Sequence, residues 1–358
     1  MKGYFFGFSH WKRNQVSYFF PDTAIVFCST VKELRYTGIA SNDYICIWGK
    51  KLFFEVELYA KEHNMALYRV EDGFIRSVSL GSDLTKAYSL VVDGKGIYFD
   101  STQTCDLEYI LNHYTFDNAL LLRAKKLQKY LIKNKISKYN SHKDVHMHLD
   151  GIRDDQIIIM VPGQVEDDAS LLYGAEGMTN LELLQKTRLN KPKGYIIYKP
   201  HPDVTAGNRP GNILPNIAMQ YCNSIIADVS LDSVLSLVDE VHTMTSLVGL
   251  EALIRGKIVY TYGLPFYAGW GLTIDSKTCK RRTAIRTLDE LVAATYIIYP
   301  RYIHPKTNKF CEVESLVKAI DAQRKYNLNN IFYRVSKDIR NYTFRIIRRI
   351  LVVLKDKS

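Results

Sequence analysis

The sequence predicts an α/β protein built from two Rossmann-like domains, with parallel sheets whose strand ends face a central cleft. Three observations carry this reading. At 358 residues the chain exceeds a comfortable single core, and two units of roughly 150 residues fit it. Strand-like and helix-like stretches alternate in two blocks. Between the blocks, residues 133–155 are polar, rich in Lys and His and without apolar periodicity, as a linker would be. The expected division is 1–150 for an acceptor-side catalytic domain, 151–320 for a donor-binding domain and 321–358 for a basic tail.

In the first block, strands are expected at 23–28 (TAIVFC), 43–48 (DYICIW), 66–70 (ALYRV) and 88–93 (YSLVVD), with a helix over 50–64. The second block opens with a buried strand at 156–163 (QIIIMVPG) and a helix at 179–188, which Thr179 is placed to cap. A strand at 194–202 (GYIIYKPHP) runs into a turn. Residues 239–244, 245–256 and 257–263 then read as a strand–helix–strand unit.

Hydrophobic residues make up 47% and charged residues 24%, ordinary for a globular protein, so disorder is not the default. The six cysteines (28, 46, 105, 222, 279 and 311) form no C-x-x-C pair and no zinc spacing. With no secretory signal at the N-terminus and no run of about 18 apolar residues, reduced thiols in the cytoplasm are expected. Twenty-five tyrosines suit a half-apolar, half-polar surface such as a sugar site.

The net charge of +11 calls for an anionic partner: nucleic acid, anionic lipid or an acidic substrate. Part of it lies in the tail. From residue 331 onward eight Lys and Arg residues are opposed by Asp338 and Asp356, while Ile339, Tyr342, Ile346, Ile350 and Val353 recur at helical spacing. Such a helix either lies on the anionic inner face of the cytoplasmic membrane or packs its apolar face on the protein body.

Four clusters sit at expected strand ends. Glu71-Asp72-Gly73 follows ALYRV, where one acid can act as a general base and Gly allows a tight turn; an ordinary acidic turn reads the same way. Gln164 to Ser170 follows QIIIMVPG with three successive acids, Glu166, Asp167 and Asp168. With no Asp-x-Asp pair or other oxygen-ligand spacing in the chain, a carboxylate nucleophile or base fits better than a metal site. Lys199-Pro200-His201-Pro202 stiffens a His and a Lys that can meet phosphate, or is a capped turn. His242 to Ser246 leads into a helix, with Thr245 and Ser246 at its start as an anion site or a plain cap. Within that helix Glu251 can accept from a ribose or face solvent.

In this order the acidic, His-Pro and Thr-Ser motifs resemble the three signatures of bacterial CMP-sugar transferases of the two-Rossmann GT-B type, sialyltransferases included. The segments 69–82, 162–170, 196–209, 239–257 and 262–273 look more closely like the capsule polysaccharide export and biosynthesis family typified by KpsC and LipA. GQVEDDAS (163–170) is more similar to the C-terminal module of KpsC-type proteins than to the N-terminal one.

The resemblance implies a retaining transfer of Kdo (3-deoxy-D-manno-octulosonic acid) from CMP-β-Kdo to a Kdo-containing glycan or glycolipid, with no metal or other cofactor. It implies Asp168 as nucleophile through a covalent Kdo–Asp intermediate, Glu71 as base, and His201 at the leaving phosphate. The donor side would comprise Lys199, His201, Pro202, His242, Thr245, Ser246 and Glu251. Lys12, Arg13, Arg76 and Gln164 would meet a sugar carboxylate or the acceptor. Chemistry agrees, since an anion can capture the oxocarbenium-like anomeric centre once CMP departs. KpsC-type proteins carry two such modules and this chain one, so a partner enzyme would supply a second linkage. The competing readings are a CMP-sugar transferase of sialyltransferase-like specificity and a non-enzymatic basic binding protein. Acids clustered at strand ends and the lack of an aromatic–basic ladder speak against nucleic acid.

Overall fold

A computed structural model describes residues 1–36, 38–77, 86–137, 149, 151–153 and 155–329. The basic stretch from 331 onward, most of the expected linker and residues 78–85 lie outside the described residues.

The strands are β1 (Lys2–Phe6), β2 (Ala24–Cys28), β3 (Tyr44–Trp48), β4 (Ala66–Asp72), β5 (Ser89–Asp93), β6 (Ile158–Pro162), β7 (Tyr195–Lys199), β8 (Ser224–Ile225), β9 (Glu240–Thr243), β10 (Ile258–Thr261), β11 (Ile274–Asp275) and β12 (Pro300–Tyr302). They form two six-stranded sheets, β12-β5-β4-β3-β1-β2 and β11-β10-β9-β6-β7-β8. The second sheet is parallel throughout. Its strands β7 and β9 are buried along their whole length, as apolar runs covered on both faces must be.

The first sheet is parallel from β2 through β4; β5 then pairs antiparallel with β4, and β12, antiparallel to β5, runs again in the direction of β4. The reason is a direct fold-back. Gly73 N–H donates to Ser89 O at 3.0 Å and Tyr88 N–H to Arg76 O at 3.0 Å, continuing the β4–β5 ladder past Asp72 as a hairpin does. A Cβ on Gly73 would stand 2.1 Å from Ser89 Oγ. Close approach, not a positive φ, is therefore what makes this position glycine.

The helix Asn180–Asn190 starts in a full capping box between Thr179 and Glu182, as its sequence signals. Helices Phe54–Glu62 and Val248–Ile254 fall inside their expected spans. The end of the chain returns to the first sheet. After helix Leu288–Val292 and a π-type turn at Ala293–Ile298, β12 pairs with β5 of the first sheet. Gln128 donates to Asp289 at 2.6 Å and Arg123 to Glu314 at 2.6 Å, fastening the returning segment to helix Asn118–Lys133. Residues from about 288 onward thus pack on the first half.

One apolar core joins the halves: Phe74, Leu107 and Leu127 pack in the same cluster as Leu250, Phe266, Trp270, Leu291 and Leu316. Across it lies Glu108, 3% exposed. Its carboxylate accepts from Arg281 Nε at 2.8 Å and Arg282 Nε at 3.2 Å. Arg282 also donates to the carbonyls of Pro265 and Ala268 at 2.6 and 2.7 Å. Replacing Glu108 by Ala strands a buried guanidinium and should cost about 3–5 kcal/mol, read as a lower urea midpoint; an unchanged midpoint would show that the pair does not hold the halves together.

Candidate active site

The strand ends of both sheets meet in a cleft of about 470 Å³. Glu71 and Asp72, at the end of β4, line it from the first half. Opposite stand Gln164, Asp168, Lys199, His201, Thr245, Ser246 and Glu251 from the second half. Residues 92 to 180 positions apart are thereby brought to one cavity, as strand ends in doubly wound sheets allow.

The three successive acids have different partners. Glu166 accepts the Asn180 N–H at 2.8 Å, which ties its loop to the next helix. Asp167 takes a two-pronged ion pair from Arg209, at 2.6 and 3.0 Å. Asp168 is the N-cap of helix Ala169–Gly174, accepting the Ser170 N–H at 2.9 Å through Oδ1, and of the three it alone lines the cleft.

Lys199 is 9% exposed and donates to the carbonyls of Ala227 and Val229 at 3.0 and 2.7 Å. Burial pulls its pKa down to about 8, against the raising pull of Asp228. Two of its three hydrogens are thus spent on the protein and one remains for a ligand. His201 caps the short helix Pro202–Thr205, its Nδ1 accepting the Asp203 N–H at 3.1 Å. In the neutral ring Nε2 then carries the proton and is a donor. Pro202 fixes the first helical position beside it.

Gln164 and Thr245 hold one another reciprocally: Gln164 Nε2 donates to Thr245 Oγ1 at 3.0 Å, and Thr245 N–H to Gln164 Oε1 at 3.0 Å. Asn180 locks the Gln164 backbone from the other side, at 2.8 Å. This pair fixes the cleft wall. Ser246 follows, its Oγ accepting the Val248 N–H at 3.3 Å. Glu251 is 4% exposed and lines the floor, so it does not face open solvent.

Two of the expected site residues lie elsewhere. His242 is fully buried inside β9, between Glu240 (3.0 Å) and the Tyr262 hydroxyl (3.0 Å) and stacked on Tyr260. Burial lowers its pKa while Glu240 acts against that. It is a core histidine because, one residue short of the strand end, it points across the sheet rather than into the cleft. Arg13 follows Lys12 on helix His10–Val16, about 100° round it. Its guanidinium lies 4.9 Å from the Phe27 ring centroid, away from the cleft. Lys12 and Arg76 do not line the cleft themselves but hold Asp72, which does: Lys12 Nζ is 3.4 Å and Arg76 Nε 2.9 Å from its carboxylate.

Sequence reasoning did not single out Lys135, Arg209, Ser230 or Arg324, which also line the cleft. Arg324 sits on helix Val313–Asn329, and only the return of that helix to the first half brings it there. Among the described residues no three His, Cys, Asp or Glu side chains gather as metal ligands, and no helix is long and apolar enough to cross a membrane.

Because the folded pKa of Lys199 lies below its unfolded value, the ionised side chain costs stability at neutral pH, and that cost is relieved as pH rises from about 8 to 10.5. The wild type should therefore gain stability relative to Lys199→Met across that window. The gain is on the order of 3 kcal/mol, since one pH unit of displacement corresponds to about 1.4 kcal/mol. Parallel stability–pH curves from chemical unfolding would contradict it.

The family model "Capsule polysaccharide biosynthesis protein" matches residues 44–302. The capsule polysaccharide modification protein LipA of Neisseria meningitidis serogroup A is 44% identical over 330 residues, 91% of this chain and 46% of LipA. The chain thus spans about half the length of that relative. Among solved structures, the β-Kdo 2,7 transferase of Thermosulfurimonas dismutans KpsC matches with a TM-score of 0.75 and 36% identity, over 90% of this chain and 100% of that one. The β-Kdo 2,4 transferase of the same KpsC matches with a TM-score of 0.75 and 31% identity, over 88% and 97%. A family model covering most of the chain and the shared two-sheet GT-B-like fold lead to one statement: the chain belongs to the capsule polysaccharide biosynthesis protein family.

Proposed function

We propose that the chain is a retaining β-Kdo glycosyltransferase. It moves Kdo from CMP-β-Kdo to a hydroxyl of a Kdo-containing glycan or glycolipid during synthesis of a capsule or related surface polysaccharide. The observation that carries this reading is the pair of carboxylates, Glu71 and Asp168, lining one cleft from opposite halves. Likeness to two Kdo transferase structures across about nine-tenths of the chain supports the choice of sugar.

In the first step the Asp168 carboxylate attacks the anomeric carbon while its bond to the CMP phosphate oxygen breaks. The electron pair leaves with CMP. The N-cap hydrogen bond to Asp168 Oδ1 fixes the direction of that carboxylate and leaves Oδ2 as the attacking atom. Lys199, His201 and Ser246 take up the charge growing on the phosphate, as preorganised donors do. In the second step Glu71 removes the proton of the acceptor hydroxyl, whose oxygen displaces Asp168 from the anomeric carbon. Two inversions at one carbon retain the β configuration. On this account the reaction needs no metal, and the enzyme works in the cytoplasm at the inner face of the membrane. The basic stretch after residue 331 would face anionic lipids there.

Incubation with CMP-Kdo generated in situ and a β-Kdo-terminated glycolipid should add Kdo to the acceptor, read by mass spectrometry. Absence of product with every Kdo acceptor would overturn the reading. Asp168→Ala should lower turnover by about 10³-fold or more. Near-normal turnover in that variant would move the nucleophile elsewhere.

A further inference from the structure

Ser246 on the cleft wall is held by a tyrosine that does not line the cleft itself. Tyr267 is fully buried, and its hydroxyl donates to the Ser246 carbonyl at 2.5 Å. Burial pushes the Tyr267 pKa up, with Asp275 adding to the rise and Thr243 opposing it, so the phenol stays a neutral donor. Gly249 leaves room for the ring: a Cβ there would stand 2.2 Å from Tyr267 Oη. The turn that carries Tyr267 is fixed in its own right. Its carbonyls at Pro265 and Ala268 accept from Arg282 at 2.6 and 2.7 Å, and that of Phe266 accepts from Trp270 Nε1 at 2.8 Å. Both donor side chains are buried. Tyr267 therefore presents a rigidly placed hydroxyl.

Every polar group of Ser246 but one is taken up by the protein. Its N–H donates to Thr243 Oγ1 at 3.3 Å. Its carbonyl accepts from Tyr267 and from the Gly249 N–H, the latter at 3.1 Å. Its Oγ accepts the Val248 N–H at 3.3 Å. A serine hydroxyl also has one hydrogen to give, and at Ser246 that hydrogen remains for a ligand in the cleft. The residue is thus gripped on one side by Thr243 and on the other by Tyr267.

We propose that Tyr267 is a positioning residue: by holding the Ser246 carbonyl it aims the Ser246 hydroxyl as a fixed hydrogen-bond donor to the phosphate of the sugar nucleotide. This assignment rests on the transferase reading. A group aimed before the ligand arrives loses little freedom on binding, and it serves the charge that grows on the phosphate as CMP leaves.

Calorimetric titration of the full chain with CMP, and separately with cytidine, isolates the phosphate contribution without turnover. The wild type should bind CMP at least about tenfold tighter than cytidine. Tyr267→Phe should shrink that ratio by about fivefold, with cytidine affinity unchanged to within about twofold. In a Ser246→Ala background the same substitution should add nothing further, as expected when one residue acts through another. Thr243→Val keeps the side-chain shape but removes the hydroxyl that the Ser246 N–H reaches. It should shift the ratio in the same direction, and it carries the test if Tyr267→Phe fails to fold. An unchanged ratio in Tyr267→Phe, or in Thr243→Val where only that variant folds, would overturn the proposal. Equal losses for CMP and cytidine would do the same, as would an undiminished effect of Tyr267→Phe without the Ser246 hydroxyl. A wild type that binds CMP no tighter than cytidine would sink the donor reading, and the proposal with it.

Discussion

The Glu108 carboxylate, buried between Arg281 and Arg282, is the contact on which the cleft depends. It comes from the first half, and its partners come from the second. Arg282 passes the constraint on to the carbonyls of Pro265 and Ala268, so the loop carrying Pro265 and Phe266 into the cleft wall is anchored to the opposite half. Asp93 works in parallel. Burial pushes its carboxyl up, but Tyr299 and the N–H groups of Lys95, Gly96 and Asp106 hold it in place. The returning segment is therefore tied to β5 by a side chain as well as by the β12 ladder. A shared core and the buried Glu108 carboxylate make the separation of the halves a packed quantity, and the distance across the cleft follows from it.

Within that frame the acids divide by what holds them. Glu166 and Asp167 are consumed by a loop tie and by Arg209, which leaves Asp168 at the mouth of the cleft with one oxygen fixed by a helix cap. Gln164 and Thr245 hold the wall, so the hydroxyl of Ser246 is the better placed of the Thr-Ser pair to meet a phosphate. Lys199 is tethered by two carbonyls rather than free to swing. Groups held this way cost little reorganisation when charge develops on a leaving group.

Much of this was legible because strand ends are local in sequence. A buried apolar run followed by Glu-Asp-Gly, Gln-x-Glu-Asp-Asp or Lys-Pro-His-Pro marks both the strand and the edge of the cleft. What was not legible has physical causes too. β8 and β11 are two residues long and β12 three, too short for any alternation to register. At the reversal into β5, Gly73 bonds Ser89 O and leaves room for the Ser89 side chain, which composition does not reveal. His242 stands close to Thr245 and Ser246 in sequence, yet it lies within the strand and they lie beyond it. Arg13 adjoins Lys12 in sequence, but adjacent helical positions face different directions. Arg324 could not be read at all, because it enters the site only through a tertiary return of the chain.

The stereochemistry of transfer tests the account most directly, because it depends on Asp168 acting as a nucleophile rather than a base. Proton–carbon coupling at the new linkage, measured by NMR on product formed from CMP-β-Kdo, reports its anomeric configuration. Two successive displacements predict a β-linked product. An α-linked product would mean a single displacement and would contradict the covalent route.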